Sequence, residues 1–196
     1  VVNLTSGDTL FEFQQDRFFA PASTAKLFST ALALQRLGPG YRFATLVTAD
    51  RAPDAAGRIA GSLRLIGGGD PTLSGRPIPY KKGAAAGNPL QAIEELADQV
   101  AARGVRRVEG DIVGDDTAYP WEPYPEGRVQ DDALWDFGAP ISALTINENR
   151  FSLRLSPGRR AGDPAVLRLS PPLEYMAIDN RVRTTGGGEA SLHVDR

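Results

Sequence analysis

The chain has 196 residues, 41% hydrophobic and 23% charged, with a formal net charge of -2 and no cysteine. That length holds one large or two small domains with a real core. Dispersed charge with no basic block argues against a nucleic-acid partner, and the absence of cysteine excludes disulfides and thiolate metal sites while leaving the compartment undecided.

Residues 1–19 read as a hairpin, with Leu4, Leu10, Phe11 and Phe13 around a turn at Ser6-Gly7-Asp8. It leads into Pro21-Ala22-Ser23-Thr24-Ala25-Lys26, the mouth of a helix whose Leu27, Ala31, Leu34 and Leu37 recur at the spacing of a buried stripe. Gly38 and Pro39 stop that helix. Ser23 falls in the cap or first turn, at the positive end of the helix dipole, and Lys26 shares its face three residues on. Two readings stand. In one, Ser23 caps the helix and Lys26 is solvated; in the other, a neutral lysine amine takes the proton of a nucleophilic serine. Ten serines and three lysines would give roughly 0.15 Ser-x-x-Lys matches by chance, and the one present opens the longest apolar helix.

Tyr41 to Ala49 alternates as a strand, Asp50 to Gly57 reads as a polar loop, and Ile59 to Ile66 as a second strand that leaves through Gly67-Gly68-Gly69-Asp70-Pro71. No Gly-Lys-Ser/Thr or Gly-x-Gly-x-x-Gly accompanies these glycines, so they read as an exit turn. Residues 74–87 form a Gly-, Pro- and Ala-rich loop, expected to be the most mobile. Asn88-Pro89-Leu90-Gln91 then opens a structural helix that buries Leu90, Ile93, Leu96, Ala97 and Val100 and ends at Gly104. A strand over Arg106 to Val113 runs into Gly114-Asp115-Asp116-Thr117-Ala118-Tyr119. Two adjacent carboxylates without a further ligand at suitable spacing make a turn, not a metal site.

From Pro120 to Pro140 the chain carries Trp121, Tyr124, Trp135 and Phe137, either as a surface clasp or as a binding rim. The remainder reads as strands: Ile141 to Ile146, Asn149 to Leu155, Val166 to Leu169, Ala177 to Arg183 and Ala190 to Val194. Strand-like residues at both termini, with no tail, give the expectation of a piece of a longer polypeptide; no apolar run reaches a membrane span and no leader peptide opens the sequence.

Pro21-Ala22-Ser23-Thr24-Ala25-Lys26, Leu37-Gly38-Pro39, Gly67-Gly68-Gly69-Asp70-Pro71-Thr72-Leu73, Gly114-Asp115-Asp116, and Gly138-Ala139-Pro140-Ile141-Ser142-Ala143-Leu144 with Asn147-Glu148-Asn149 form ordered blocks. Together they resemble the class C low-molecular-mass penicillin-binding proteins, the D-alanyl-D-alanine carboxypeptidases and endopeptidases of bacterial peptidoglycan. The resemblance implies an α/β (α+β) fold: residues 1–50 as the first segment of a transpeptidase- or β-lactamase-like serine domain, and residues 51–196 as one or more inserted β-rich domains. It implies Ser23 as nucleophile and Lys26 as base, and an acidic turn, Asp115 or Asp116 with Tyr119, that meets the amino end of the peptide. The implied partners are peptidoglycan peptides ending in D-Ala-D-Ala and β-lactams as covalent inhibitors, with no cofactor, no metal and no nucleic acid. The implied location is extracytoplasmic, with peripheral membrane or cell-wall association of the intact protein.

The fold also needs a Ser-x-Asn and a Lys-Thr-Gly, and neither is present. Thr184-Thr185-Gly186 lacks the lysine, Lys81-Lys82-Gly83 lacks the hydroxyl, and Thr145 stands where Asn147 would need a serine. The resemblance therefore implies an N-terminal fragment, inactive alone, of a longer enzyme. A non-catalytic wall-binding module on the same scaffold is the alternative, and a β-lactamase is disfavoured by the long insert.

Overall fold

The computed structural model describes residues 1–79, 81–84, 87–174, 176–189 and 191–194. Its compact units are Val1–Arg42 and Phe43–Arg196.

In the first unit the expected hairpin shrinks to a single antiparallel bridge, Val2 to Thr9. Asn3 Oδ1 accepts the Thr5 N–H at 2.9 Å, and Gly7 turns the chain at φ +78°, so local side-chain bonding takes groups that a ladder would use. The chain then enters a 3₁₀ turn, Ala22–Thr24, that runs directly into helix α1, Ala25–Leu37. Gly38 ends α1 at φ +79°, its N–H donating to Leu34 O at 3.0 Å. The stripe expected to be buried is exposed, Leu27 at 70% and Leu34 at 60%, because the first unit has no second long helix or sheet among the described residues to cover it.

The second unit mixes short strands with one helix. Strands β1 (Leu46–Ala49), β3 (Leu63–Ile66) and β5 (Ile112–Asp115) form a sheet in the order β1-β3-β5, with β1 antiparallel and β5 parallel to β3. Strands β2 (Arg58–Ile59) and β4 (Arg107–Val108) make a separate parallel pair. The two longer strands expected here are thus each broken, and at matching levels. Gly110 N–H donates to Gly61 O at 3.0 Å and Asp111 N–H to Ser62 Oγ at 3.0 Å, so both chains jog together from one pairing to the other. β1 is shorter than expected because β3 stops pairing after Ile66, where the Gly67 N–H turns to Asp115 O at 2.8 Å.

Parallel strands need a crossover, and helix α2 (Gln91–Ala102) supplies it between β3 and β5. Asn88 Oδ1 accepts the Leu90 N–H at 3.0 Å while its Nδ2 donates to Glu94 at 2.6 Å, so Glu94, not Gln91, completes the start. Leu90, Ile93, Leu96 and Val100 are half-buried as expected; Ala97 is exposed.

Strands β6 (Ser152–Ser156) and β7 (Val166–Ser170) form an antiparallel hairpin. The strand expected at Ala177 to Arg183 reduces to one bridge, Pro164 to Arg183. Of the strand expected at Ala190 to Val194, Ala190 lies outside the described residues and Ser191 to Val194 are not in a strand. Tyr80, Ala85 and Ala86 of the 74–87 loop also lie outside them; its neck is closed by Gly87 N–H donating to Gly75 O at 2.7 Å. The aromatic stretch contains 3₁₀ turns at Gln130–Leu134 and Asp136–Gly138, with Trp121, Trp135 and Phe137 exposed. Ile141 to Ile146, expected as a strand, is an irregular segment that carries Ala143, 1% exposed, into the small core with Ile59 and Leu63.

Candidate active site

Ser23 lies in the middle of the 3₁₀ turn that feeds α1. Ala22, just before it, has φ +44°, a left-handed conformation unusual for alanine and of the kind that aims a neighbouring side chain. Thr24 fixes the turn through its N–H to Pro21 O at 3.0 Å and its hydroxyl to the same oxygen. One helical turn then brings the Lys26 side chain back over Ser23, with Lys26 Nζ 3.1 Å from Ser23 Oγ. Here the ammonium donates to the hydroxyl oxygen. In the neutral form the same separation lets the hydroxyl donate its proton to the amine, the first step in activating a serine.

The acidic turn belongs to the second unit, where three sequence blocks converge. Asp115 is committed to the scaffold: it accepts the Thr117 hydroxyl at 2.6 Å, the Thr117 N–H at 3.1 Å and Arg64 at 3.3 Å. The Thr117 hydroxyl, followed by its N–H and by Arg64, holds the Asp115 carboxyl below the usual carboxylate range. Asp116 differs. One of its oxygens accepts the Ser142 hydroxyl at 3.0 Å, and Ser142 Oγ in turn accepts the Leu144 N–H at 3.1 Å. Oδ1 of Asp116 has no hydrogen-bond partner among the described residues.

The triple glycine is more than an exit turn. Gly69 N–H donates to Ala143 O at 2.8 Å, and a Cβ on Gly67 would strike the Ala143 carbonyl and come within 2.5 Å of Leu144 Cα. Gly69, at φ +79°, has the Tyr119 hydroxyl against its α-carbon. Glycine is thus required where the 67–69 backbone passes between the acidic turn and the 142–144 segment. Gly67→Ala is expected to cost about 1–3 kcal/mol of stability, read as a lower urea midpoint with unchanged slope. An unchanged midpoint would mean that the segments separate without cost.

Asn147, Glu148 and Asn149 adopt three consecutive left-handed conformations, at φ +49°, +58° and +52°. Asn147 donates to Arg150 O at 2.7 Å and Asn149 to Pro140 O at 3.1 Å, while Glu148 pairs with Arg76 at 2.6 Å and Arg150 at 2.9 Å. Sequence reasoning missed Ser142, Thr117 and Arg64 as supports of the acidic turn. The block Ile141-Ser142-Ala143-Leu144 was the available signal, but its partner lies 26 residues away. Thr184, in the apparent Thr-Thr-Gly, is occupied in accepting the Gly158 N–H at 2.7 Å. Among the described residues no cluster of three His, Asp or Glu side chains converges as a metal site.

A serine and a lysine paired at a helix start, in a chain that also carries a strand-rich unit, fit the penicillin-binding class. The fold agrees: 86% of the chain superposes on 34% of the crystal structure of penicillin binding protein 4 (dacB) from Haemophilus influenzae, with a TM-score of 0.69 at 21% identity. Residues 1–195 match the D-Ala-D-Ala carboxypeptidase 3 (S13) family, and the chain belongs to that family. It is 34% identical over its whole length to a D-alanyl-D-alanine carboxypeptidase of an Actinomadura species, covering 35% of that protein. It is also 35% identical over 156 residues to carboxypeptidase DacB of Mycolicibacterium smegmatis, covering 74% of this chain and 29% of that one. The chain therefore spans about a third of the length of the curated relatives it matches.

Proposed function

We propose that the protein to which this chain belongs is a serine D-Ala-D-Ala carboxypeptidase acting on peptidoglycan peptides outside the cytoplasm. The observation that carries the reading is the 3.1 Å separation of Lys26 Nζ and Ser23 Oγ at the start of α1, in a chain of this family. Ser23 Oγ attacks the carbonyl carbon of the penultimate D-alanine while its proton passes to Lys26. The C–N bond then breaks, the terminal D-alanine leaves with that proton on its amine, and water hydrolyses the Ser23 ester. A β-lactam opens on the same hydroxyl but leaves slowly, because its leaving amine stays attached. Residues 1–50 are the first segment of the catalytic domain and 51–196 the insert. Ser-x-Asn and Lys-Thr-Gly are absent from these 196 residues, so the chain alone is expected to turn over slowly at best.

Asp116 is the aspartate that meets the peptide's amino end, with Tyr119 beside it. Its Oδ1 is uncommitted among the described residues and its other oxygen is oriented by Ser142, whereas Asp115 is spent on Thr117 and Arg64. Asp116→Asn in the intact enzyme is expected to lower kcat/KM for the peptide about tenfold while leaving the penicillin acylation rate unchanged. Equal losses on both would mark Asp116 as structural.

Asp115→Asn should instead act on stability, in a pH-dependent way. Its carboxyl is depressed in the folded state, so its stabilisation is present above the unfolded value of about 3.9 and is lost as pH falls through the lowered folded value. The urea midpoints of wild type and Asp115→Asn are therefore expected to differ at pH 6 and to converge as pH falls through the lowered folded value. A gap that persists at low pH would contradict this origin.

A further inference from the structure

The β6–β7 hairpin carries a polar face that the serine chemistry does not use. Its inward residues Leu153, Leu155, Leu167 and Leu169 are half-buried; Ser152, Arg154, Ser156, Val166, Arg168 and Ser170 alternate with them and are exposed. The register places Arg154 directly opposite Arg168 and Ser152 directly opposite Ser170. Like charges opposed across a ladder repel, with side chains rooted about 5 Å apart. Nothing offsets this repulsion locally: neither guanidinium makes a hydrogen bond or ion pair with any described residue. Residues 151–173 contain four arginines and one aspartate, net +3, in a chain whose net charge is -2. That aspartate, Asp163, is half-buried and accepts the Arg160 N–H at 2.9 Å, so it does not neutralise the pair. Nearby, Arg183, bridged to Pro164, is exposed, and Arg181 is already paired with Asp179 at 2.6 Å.

We propose that this face binds a phosphate group through Arg154 and Arg168, with the Ser152 and Ser170 hydroxyls one ladder step away. A guanidinium presents a planar fork of donors that matches phosphate oxygens two at a time, and an anion between two such forks relieves their repulsion. The hydroxyls add donors that suit a tetrahedral oxyanion. A phosphate ester of a soluble molecule and a phospholipid headgroup share this chemistry. The site is independent of Ser23, so its failure would leave the carboxypeptidase reading untouched.

Inorganic phosphate is titrated against the chain at constant ionic strength made up with sodium chloride, following the arginine Nε–H signals by NMR. Saturable shifts at Arg154 and Arg168 are expected, with Arg168→Gln and Arg154→Gln each weakening binding about tenfold. Both variants are also expected to melt at a higher temperature than wild type in phosphate-free buffer, since the opposed charges are gone, and to lose most of the stabilisation that phosphate gives wild type. A parallel sedimentation with phosphatidylglycerol vesicles separates the sources. Pelleting that depends on both arginines identifies a headgroup, and saturation by free phosphate without pelleting identifies a soluble ester. Shifts no larger than those with chloride, together with no arginine-dependent pelleting, would overturn the proposal, as would variants that bind like wild type.

Discussion

Ser23→Ala in the intact enzyme is expected to abolish covalent labelling by benzylpenicillin and to lower peptide turnover by about 10⁴-fold or more, with no change in the unfolding transition. In the proposed reaction the hydroxyl is the atom that forms the bond, so no neighbouring group can replace it. Its loss should not disturb the fold, because the 3₁₀ turn is held by Thr24 bonding to Pro21 O rather than by the Ser23 side chain, which among the described residues pairs only with Lys26. Intact mass spectrometry after incubation with penicillin reads the result directly. One adduct mapping to Ser23 in wild type and none in the variant is the expected pattern. A labelled alanine variant would place the nucleophile elsewhere, and a wild-type protein that folds but is never labelled would favour a wall-binding module.

Lys26→Ala is expected to slow acylation by about 10²- to 10⁴-fold while leaving penicillin able to bind. Lys26 Nζ is a basic atom within hydrogen-bond reach of Ser23 Oγ, and α1 delivers it by one turn of backbone geometry, so truncation removes the proposed proton acceptor without moving the serine. Thr30 and Ser29 donate their hydroxyls to the Lys26 carbonyl at 2.6 and 3.2 Å, bonds to the backbone that the substitution keeps. Stopped-flow measurement of acyl-enzyme formation separates the acylation rate from deacylation. An unchanged acylation rate would assign the proton to another base; a loss confined to deacylation would place Lys26 in the second half-reaction.

Much of this was legible because it is local. The separation of three between Ser23 and Lys26 puts both on one helical face whatever surrounds them, and α1 and α2 follow from apolar spacing and their Gly and Asn ends. Alternation likewise marked β6 and part of β1, and the sequence placed β3, the first half of β5 and most of β7 within strands. Strand ends were less legible, since a strand stops where its neighbour turns away: β1 is cut short by what Gly67 does, not by Thr45.

The sequence by itself determined the family, the mixed α/β class and the serine–lysine pair, because ordered motifs and i, i+3 spacing are properties of a short stretch of chain. Only the tertiary structure decided that Asp115 is bound into the scaffold while Asp116 keeps an oxygen without a partner among the described residues, that Gly67 and Gly69 are spacers for the 142–144 segment, and that Arg154 faces Arg168. Apart from the Thr117 bonds to Asp115, those outcomes depend on pairings between residues 14 to 77 positions apart. No local periodicity encodes such pairings; they are set by the register and close approach of segments that meet only in the folded chain.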